Sequence, residues 1–227
     1  MTTFHHQQIV CLQTERPVAS ELLLRQYGDL SLSDMLQTPK LFESHIADLV
    51  AEKIRVSRML WDGQPSAAVF LNFTPNQITH PKFNSLVNAL AEHIQPGRYI
   101  VMEVTENERS EHWELMLENL SLAKDKGLRV AIDDFGKGYS NFNSLIRLSP
   151  DIVKLDVSVI QQAASIESTC NAFYRIVEFI QSIGSKVVVE GIETEKSKMI
   201  AKRSRAEFGQ GYFFHKPCPI VDTVKAL

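Results

Sequence analysis

The sequence predicts an α/β protein of barrel type, and three observations carry that prediction. Short β-branched runs alternate with helical stretches along the chain, the runs number eight within 227 residues, and polar residues recur where those runs end,. Eight strands with intervening helices in a chain of this size fit a closed barrel, with a doubly wound open sheet as the main competitor.

In chain order, Gln8–Leu12 and Val18–Arg25 read as two strands joined by the polar segment Gln13-Thr14-Glu15-Arg16-Pro17, so the first strand is expected to enter as a hairpin,. A helix is expected from Thr38-Pro39 to about Leu60. Six further strands follow at Ser66–Phe73, Tyr99–Thr105, Arg129–Phe135, Asp151–Asp156, Lys186–Gly191 and Phe208–Phe214. Helices are expected at Pro81–Ile94, Ser110–Lys126, Val157–Ile183 and Thr194–Ala206, with Pro81 in a first turn that tolerates it,. No low-complexity linker or internal repeat divides the chain, so one domain over residues 1–227 is expected.

Composition narrows the function classes. The 44% hydrophobic content suffices for one well-buried core, while a net charge of −3 gives no electrostatic reason to expect a nucleic-acid polymer as partner,. No apolar run approaches membrane-spanning length, and the polar start lacks the order of a secretory signal, so no membrane and a cytoplasmic location are expected. Cys11, Cys170 and Cys218 lack metal-ligand spacing and suit reduced thiols,. The seven histidines show no paired helical spacing, and they, His5-His6 included, are expected to be surface or core residues,.

The polar strand ends point to chemistry. Asn72, Glu103, Asp133, Lys154, Glu190 and Gln210 each lie at or near the carboxyl end of a different strand, and Glu21 joins them from the second. In a barrel, groups from separate strands converge on that rim. Alternate residues of a strand share a face, which groups Glu21 with Leu23 and Arg25, and Lys154 with Asp156. Glu21, Asn72, Glu103, Asp133 and Asp134 offer only oxygen ligands, a donor set for Mg²⁺ or Mn²⁺ and against a thiol or imidazole zinc site. Two such ions can clamp the attacking and leaving oxygens of a phosphodiester.

Seven ordered segments carry a family resemblance: Glu21-Leu22-Leu23-Leu24-Arg25, Leu71-Asn72-Phe73-Thr74, Glu103-Val104-Thr105-Glu106, Asp133-Asp134-Phe135-Gly136, Lys154-Leu155-Asp156, Glu190-Gly191-Ile192-Glu193 and Gln210-Gly211-Tyr212. In order and spacing they resemble the motifs of EAL-domain cyclic di-GMP phosphodiesterases over almost the whole chain. The resemblance implies a modified (β/α)₈ TIM-type barrel with an irregular, antiparallel first strand, hydrolysing cyclic di-GMP to linear pGpG with two Mg²⁺ or Mn²⁺ ions. It implies that Glu21, Asn72, Glu103 and Asp133 hold the first ion and that Asp133 with Asp134 holds the second. Lys154 and Glu190 would act on or around the nucleophilic water, and Glu106 would hold the Asp-Phe-Gly loop. Gln7, Arg25, Asp156 and Gln210 would meet the substrate. A homodimer is also implied; the alternative is a noncatalytic EAL-like receptor or a regulator of a protein partner.

The chain departs from the family pattern at several places. Glu21-Leu22-Leu23 replaces Glu-Ala-Leu, and Leu22 should point away from Glu21 and alter packing only,. Between Tyr27 and Val50 only Pro39 and Phe42 clearly remain, with Glu43 where relatives carry isoleucine and Ala47 where they carry glutamate. Lys137 stands where threonine is frequent and is expected to face solvent. The stretch Thr194–Ala206 is unusually basic, which reads as a solvated helix face,.

Overall fold

The computed structural model describes residues 2–38, 40–63, 67–105, 112–137 and 142–220. Two long strands open the chain, β1 (Thr3–Cys11) and β2 (Pro17–Tyr27), and a short β3 (Leu30–Ser31) leads to helices α1 (Leu32–Gln37), α2 (Lys40–Ser44) and α3 (Ile46–Gly63). Then come β4 (Ala68–Phe73), α4 (Pro75–Ile78), α5 (Phe83–Ala91), β5 (Tyr99–Thr105), α6 (Trp113–Asp125), β6 (Arg129–Phe135), α7 (Phe142–Leu148) and β7 (Ile152–Leu155). The chain continues with α8 (Val157–Ser165), α9 (Glu167–Ser182), β8 (Lys186–Val189), α10 (Glu195–Arg203), β9 (Phe208–Gly209) and β10 (Cys218–Pro219).

Strands β2 and β4 to β9 run parallel in sequence order, and β1 closes the sheet by pairing antiparallel with both β2 and β9. The result is an eight-stranded α/β barrel with a reversed first strand. The expected hairpin is present, although β1 extends back to Thr3 and not only to Gln8.

Strand alternation divides the barrel into layers. Ile9, Ala19, Phe70, Val101, Ala131, Ile152 and Val188, with Phe208, fill the amino end of the interior. Two residues further toward the carboxyl rim, on each parallel strand or, for the last two, just past its end, stand Glu21, Asn72, Glu103, Asp133, Lys154, Glu190 and Gln210,. Because β1 runs the other way, its matching residue is Gln7, which lies opposite Glu21 in the register. An apolar plug therefore carries a wholly polar layer contributed by all eight strands. The residues that alternate with these positions, Leu22, Leu71, Met102, Ile132, Val153 and Val189 among them, face outward and pack with the helices in the larger core.

Several elements differ from expectation. The helix expected over Val157–Ile183 is two helices, because Ile166 adopts an extended backbone and the Thr169 hydroxyl donates to the carbonyls of Gln162 and Ile166,. The helix expected from Thr38 to Leu60 is likewise α2 and α3. The strand expected over Phe208–Phe214 keeps two residues, since at Gly211 the chain passes so close to Ile192 that an added Cβ would lie 2.1 Å from its carbonyl oxygen. The helix expected from Pro81 begins at Phe83. Pro39, Ser66 and Ser110 lie outside the described residues.

Candidate active site at the carboxyl rim

Four of the rim carboxylates meet at one point, and that point is the Lys154 ammonium. Its Nζ lies 2.7 Å from Glu103 Oε1, 2.8 Å from Glu190 Oε1, 3.0 Å from Asp133 Oδ1 and 3.4 Å from Glu21 Oε2. One cation thus faces four carboxylates. Neither Glu103 oxygen, nor Asp133 Oδ1, receives a hydrogen bond of good geometry from the described residues, and all three atoms are buried. Buried carboxylates in excess over the ammonium that faces them are a cation-binding arrangement.

The electrostatics follow from this crowding. Burial acts to lower the pKa of Lys154, but the charges of Asp133, Glu103, Glu190 and Glu21 outweigh it and hold the group well above the usual lysine range,. Burial, reinforced by the charge of Glu21, raises Glu103 well above the usual carboxylate range against the pull of Lys154. Burial pushes Glu190 up to about 7, with Lys154 opposing and Asp133 and Glu21 adding to it.

Amides complete the ring. Asn72 Nδ2 donates to Glu21 Oε1 at 3.3 Å, and Gln210 Nε2 donates to Glu21 Oε2 at 2.7 Å and to Gln7 Oε1 at 3.2 Å. Gln7 Nε2 in turn donates to the His215 carbonyl at 3.0 Å. Glu21, Asn72 and Arg25 also line a cavity of about 350 Å³ whose wall includes Phe42, Leu49 and Lys53.

Asp133 and Asp134 are neighbours on a strand, so alternation alone would send them to opposite faces. At Asp134 the backbone turns left-handed (φ 55°), and the pairing with β7 shifts register between Ile132 and Phe135,. This re-aims Asp134, and one ligand atom from each of Asp133, Asp134 and Glu190 falls within 4.8 Å of the others. Burial raises the Asp134 pKa, while Lys137, 3.0 Å away, pulls it down. Lys137 is 57% exposed, yet it is ion-paired with Asp134 and does not simply face solvent.

Asp156 caps α8, accepting the Ser158 N–H at 2.9 Å, and is buried beside the ring. Glu106 lies outside the described residues. The basic residues of α10 behave as a solvated face in part: Lys198 and Lys202 pair with Glu15, and Lys198 also lies over the Phe213 ring.

Two groups escaped the sequence reading. Lys53, on α3, donates to the Asn72 carbonyl and stacks over the Phe73 ring at 4.0 Å; burial drives its pKa down to about 7 against the opposing charge of Glu103. Its signal was a lysine on the inward stripe Leu49, Val50, Lys53, Val56 and Leu60,. His6, His215 and Cys218 also come together, a grouping that the spacing of histidines and cysteines in the sequence does not show.

Fold and rim together define an α/β barrel with an oxygen-rich site for cations. The EAL domain profile matches residues 2–217, and the chain belongs to the EAL domain family. It is 28% identical over 187 residues to the cyclic di-GMP phosphodiesterase RocR of Pseudomonas aeruginosa, covering 82% of this chain and 47% of that protein. It is 28% identical over 229 residues to the probable cyclic di-GMP phosphodiesterase PdeB of Escherichia coli, covering 97% of this chain and 43% of that protein. The chain thus spans less than half the length of these two relatives. Among solved structures, the Klebsiella pneumoniae BlrP1 complex with calcium and cyclic di-GMP matches with a TM-score of 0.81 at 22% identity, over 97% of this chain and 56% of that one. The PaMucR phosphodiesterase complex with cyclic di-GMP matches with a TM-score of 0.80 at 24% identity, over 100% and 99%. These structural matches agree with the barrel described above.

Proposed function

We propose that this chain hydrolyses cyclic di-GMP to linear pGpG with two divalent ions, Mg²⁺ or Mn²⁺, and so lowers the level of that messenger. The observation that carries the reading is that four carboxylates, those of Glu21, Glu103, Asp133 and Glu190, gather within 3.4 Å of the one Lys154 ammonium, which leaves negative charge in excess. An oxygen-only donor set fits these hard cations. Glu21, Asn72, Glu103 and Asp133 would hold one ion, and Asp133 with Asp134 the other. When bound, such ions supply positive charge to the phosphodiester oxygens.

The chain's own groups do the rest. Lys154 places its ammonium where negative charge grows on the phosphoryl group. Glu190, whose carboxyl titrates at about 7, accepts the proton of the attacking water near neutral pH,. Gln7 and Gln210 present a linked pair of amides beside Glu21, and with Arg25 and Asp156 they bind the nucleotide. The role of holding the Asp-Phe-Gly loop, which the family resemblance implies for Glu106, is part of the same proposal. Residues 1–227 act as one domain in a cytoplasmic homodimer, with a regulatory protein as a further partner.

The test is cyclic di-GMP consumption by the pure protein with Mg²⁺ or Mn²⁺, read as linear pGpG. Product is expected, and Glu21→Ala should abolish it. Nucleotide binding without product would instead establish the noncatalytic receptor, which the Lys137 pair on Asp134 specifically favours.

A further inference from the structure

The strongest group of side chains outside the carboxylate ring lies at the seam where the barrel closes. His6 comes from β1, and Cys218 faces it in the β1–β10 register. His215 precedes β10, with its ring 5.2 Å from that of His6. Cys218 Sγ is 3.3 Å from His6 Nε2 and 3.7 Å from His215 Nε2, and one ligand atom from each residue lies within 4.8 Å of the others. A tetrahedral ion with ordinary zinc bond lengths separates its nitrogen and sulfur ligands by about 3.6 Å, so the two observed distances bracket that spacing.

We propose that His6, His215 and Cys218 form a binding site for one borderline-soft divalent ion of the Zn²⁺ class, separate from the carboxylate ring. A thiol and two imidazoles select such an ion over Mg²⁺ or Mn²⁺, and three protein ligands leave a fourth position for water. Burial lowers both histidine pKa values, keeping the rings in the neutral form that ligates,. His6 Nδ1 is buried without a partner, so an ion on the other nitrogen displaces nothing there. The contact that must yield is the 3.4 Å approach of the Gln8 N–H to His215 Nδ1, since a ring ligating through Nε2 carries its proton on Nδ1,. That contact is already long for a hydrogen bond. The His215 carbonyl holds Gln7, which ties the seam to the rim.

Co²⁺ serves as a coloured stand-in for Zn²⁺. With excess Mg²⁺ occupying the oxygen ligands, the intact chain should develop a near-ultraviolet thiolate-to-cobalt band that saturates at one Co²⁺ per chain and disappears when Zn²⁺ is added. Cys218→Ser should lose the band, while Cys11→Ser and Cys170→Ser keep it. On unmutated protein, Zn²⁺ should slow alkylation of Cys218 by iodoacetamide at least tenfold, read on the peptide by mass. Absence of the band, its persistence in Cys218→Ser, or an unchanged alkylation rate would each overturn the site and leave Cys218 a thiol hydrogen-bonded to His6.

Discussion

The Lys154 ammonium lies 2.7 Å from Glu103 Oε1, and both side chains are closed to solvent. A buried lysine is tolerated as a cation only because carboxylates surround it, and those carboxylates are tolerated partly because of it. Lys154→Met should therefore lower the stability of the protein in chelator by about 3–5 kcal/mol, the cost of breaking a buried pair. Added Mg²⁺ or Mn²⁺ should close most of that gap, because the ions replace the missing charge, while turnover stays about 10²- to 10⁴-fold down. Thermal melts with and without chelator, beside the product assay, check both statements. A gap unchanged by metal would show that Lys154 does not stand in for cationic charge.

The titration of Glu190 gives a pH dependence with a definite sign. Its carboxyl holds a proton up to about 7 in the folded chain, against an ordinary value of 4.5. Between these values the folded state binds a proton that the unfolded state has lost, so metal-free stability should fall as pH rises from 4.5 to about 7,. Lys53 acts in a separate window: folded it is neutral above about 7, whereas its ordinary value is 10.5, so its contribution recovers stability as pH rises between them,. Urea midpoints in chelator should trace a shallow minimum near neutral pH. Glu190→Gln should flatten the acid limb, and Lys53→Met the alkaline one. Affinity for Mg²⁺ should rise through the acid window, because loss of the Glu190 proton adds negative charge beside the carboxylates that would hold the ions,.

Lys137 competes for Asp134. The pair is more than half exposed on the lysine side, and such pairs contribute only about 0.2–1 kcal/mol,. Lys137→Thr should accordingly lower the Mg²⁺ concentration for half-maximal turnover by about two- to fivefold, with little change in thermal stability. Metal titrations of both proteins decide it, and a higher requirement in the variant would mean that Lys137 supports the site.

The parts of this molecule legible in the sequence were those governed by strand alternation. Glu21, Asn72, Glu103, Asp133, Lys154, Glu190 and Gln210 each sit two residues beyond an apolar interior position, so period-two reading places them on one rim,. Asp134 was legible as a second carboxylate at the strand end and not through alternation, since its left-handed backbone breaks that period. Lys53 was missed because its stem passes as part of a helix stripe and its partner is a backbone carbonyl on a distant strand. The His6, His215 and Cys218 group was missed for a related reason: His6 lies more than two hundred residues from the other two and meets them only when the seam closes. The split between α8 and α9 depended on the Thr169 hydroxyl, a local contact that helical periodicity does not register.

Leu22 tests the layer argument directly, because it is the residue by which Glu21-Leu22-Leu23 departs from Glu-Ala-Leu. It is 2% exposed, and it packs outward in the larger core while Glu21 points inward to Lys154. Leu22→Ala removes buried methyl and methylene groups from a packed layer and should destabilise the protein by about 2–5 kcal/mol, depending on how far the site collapses. Since alternation puts the lost volume on the far side of the strand from the carboxylates, Mg²⁺ affinity should stay within about twofold of the starting protein. Urea denaturation and metal titration on the same preparation measure the two effects. A tenfold change in metal affinity with stability unaltered would mean that Leu22 sets the position of Glu21 through the backbone of β2, and that the outer packing layer is not independent of the rim.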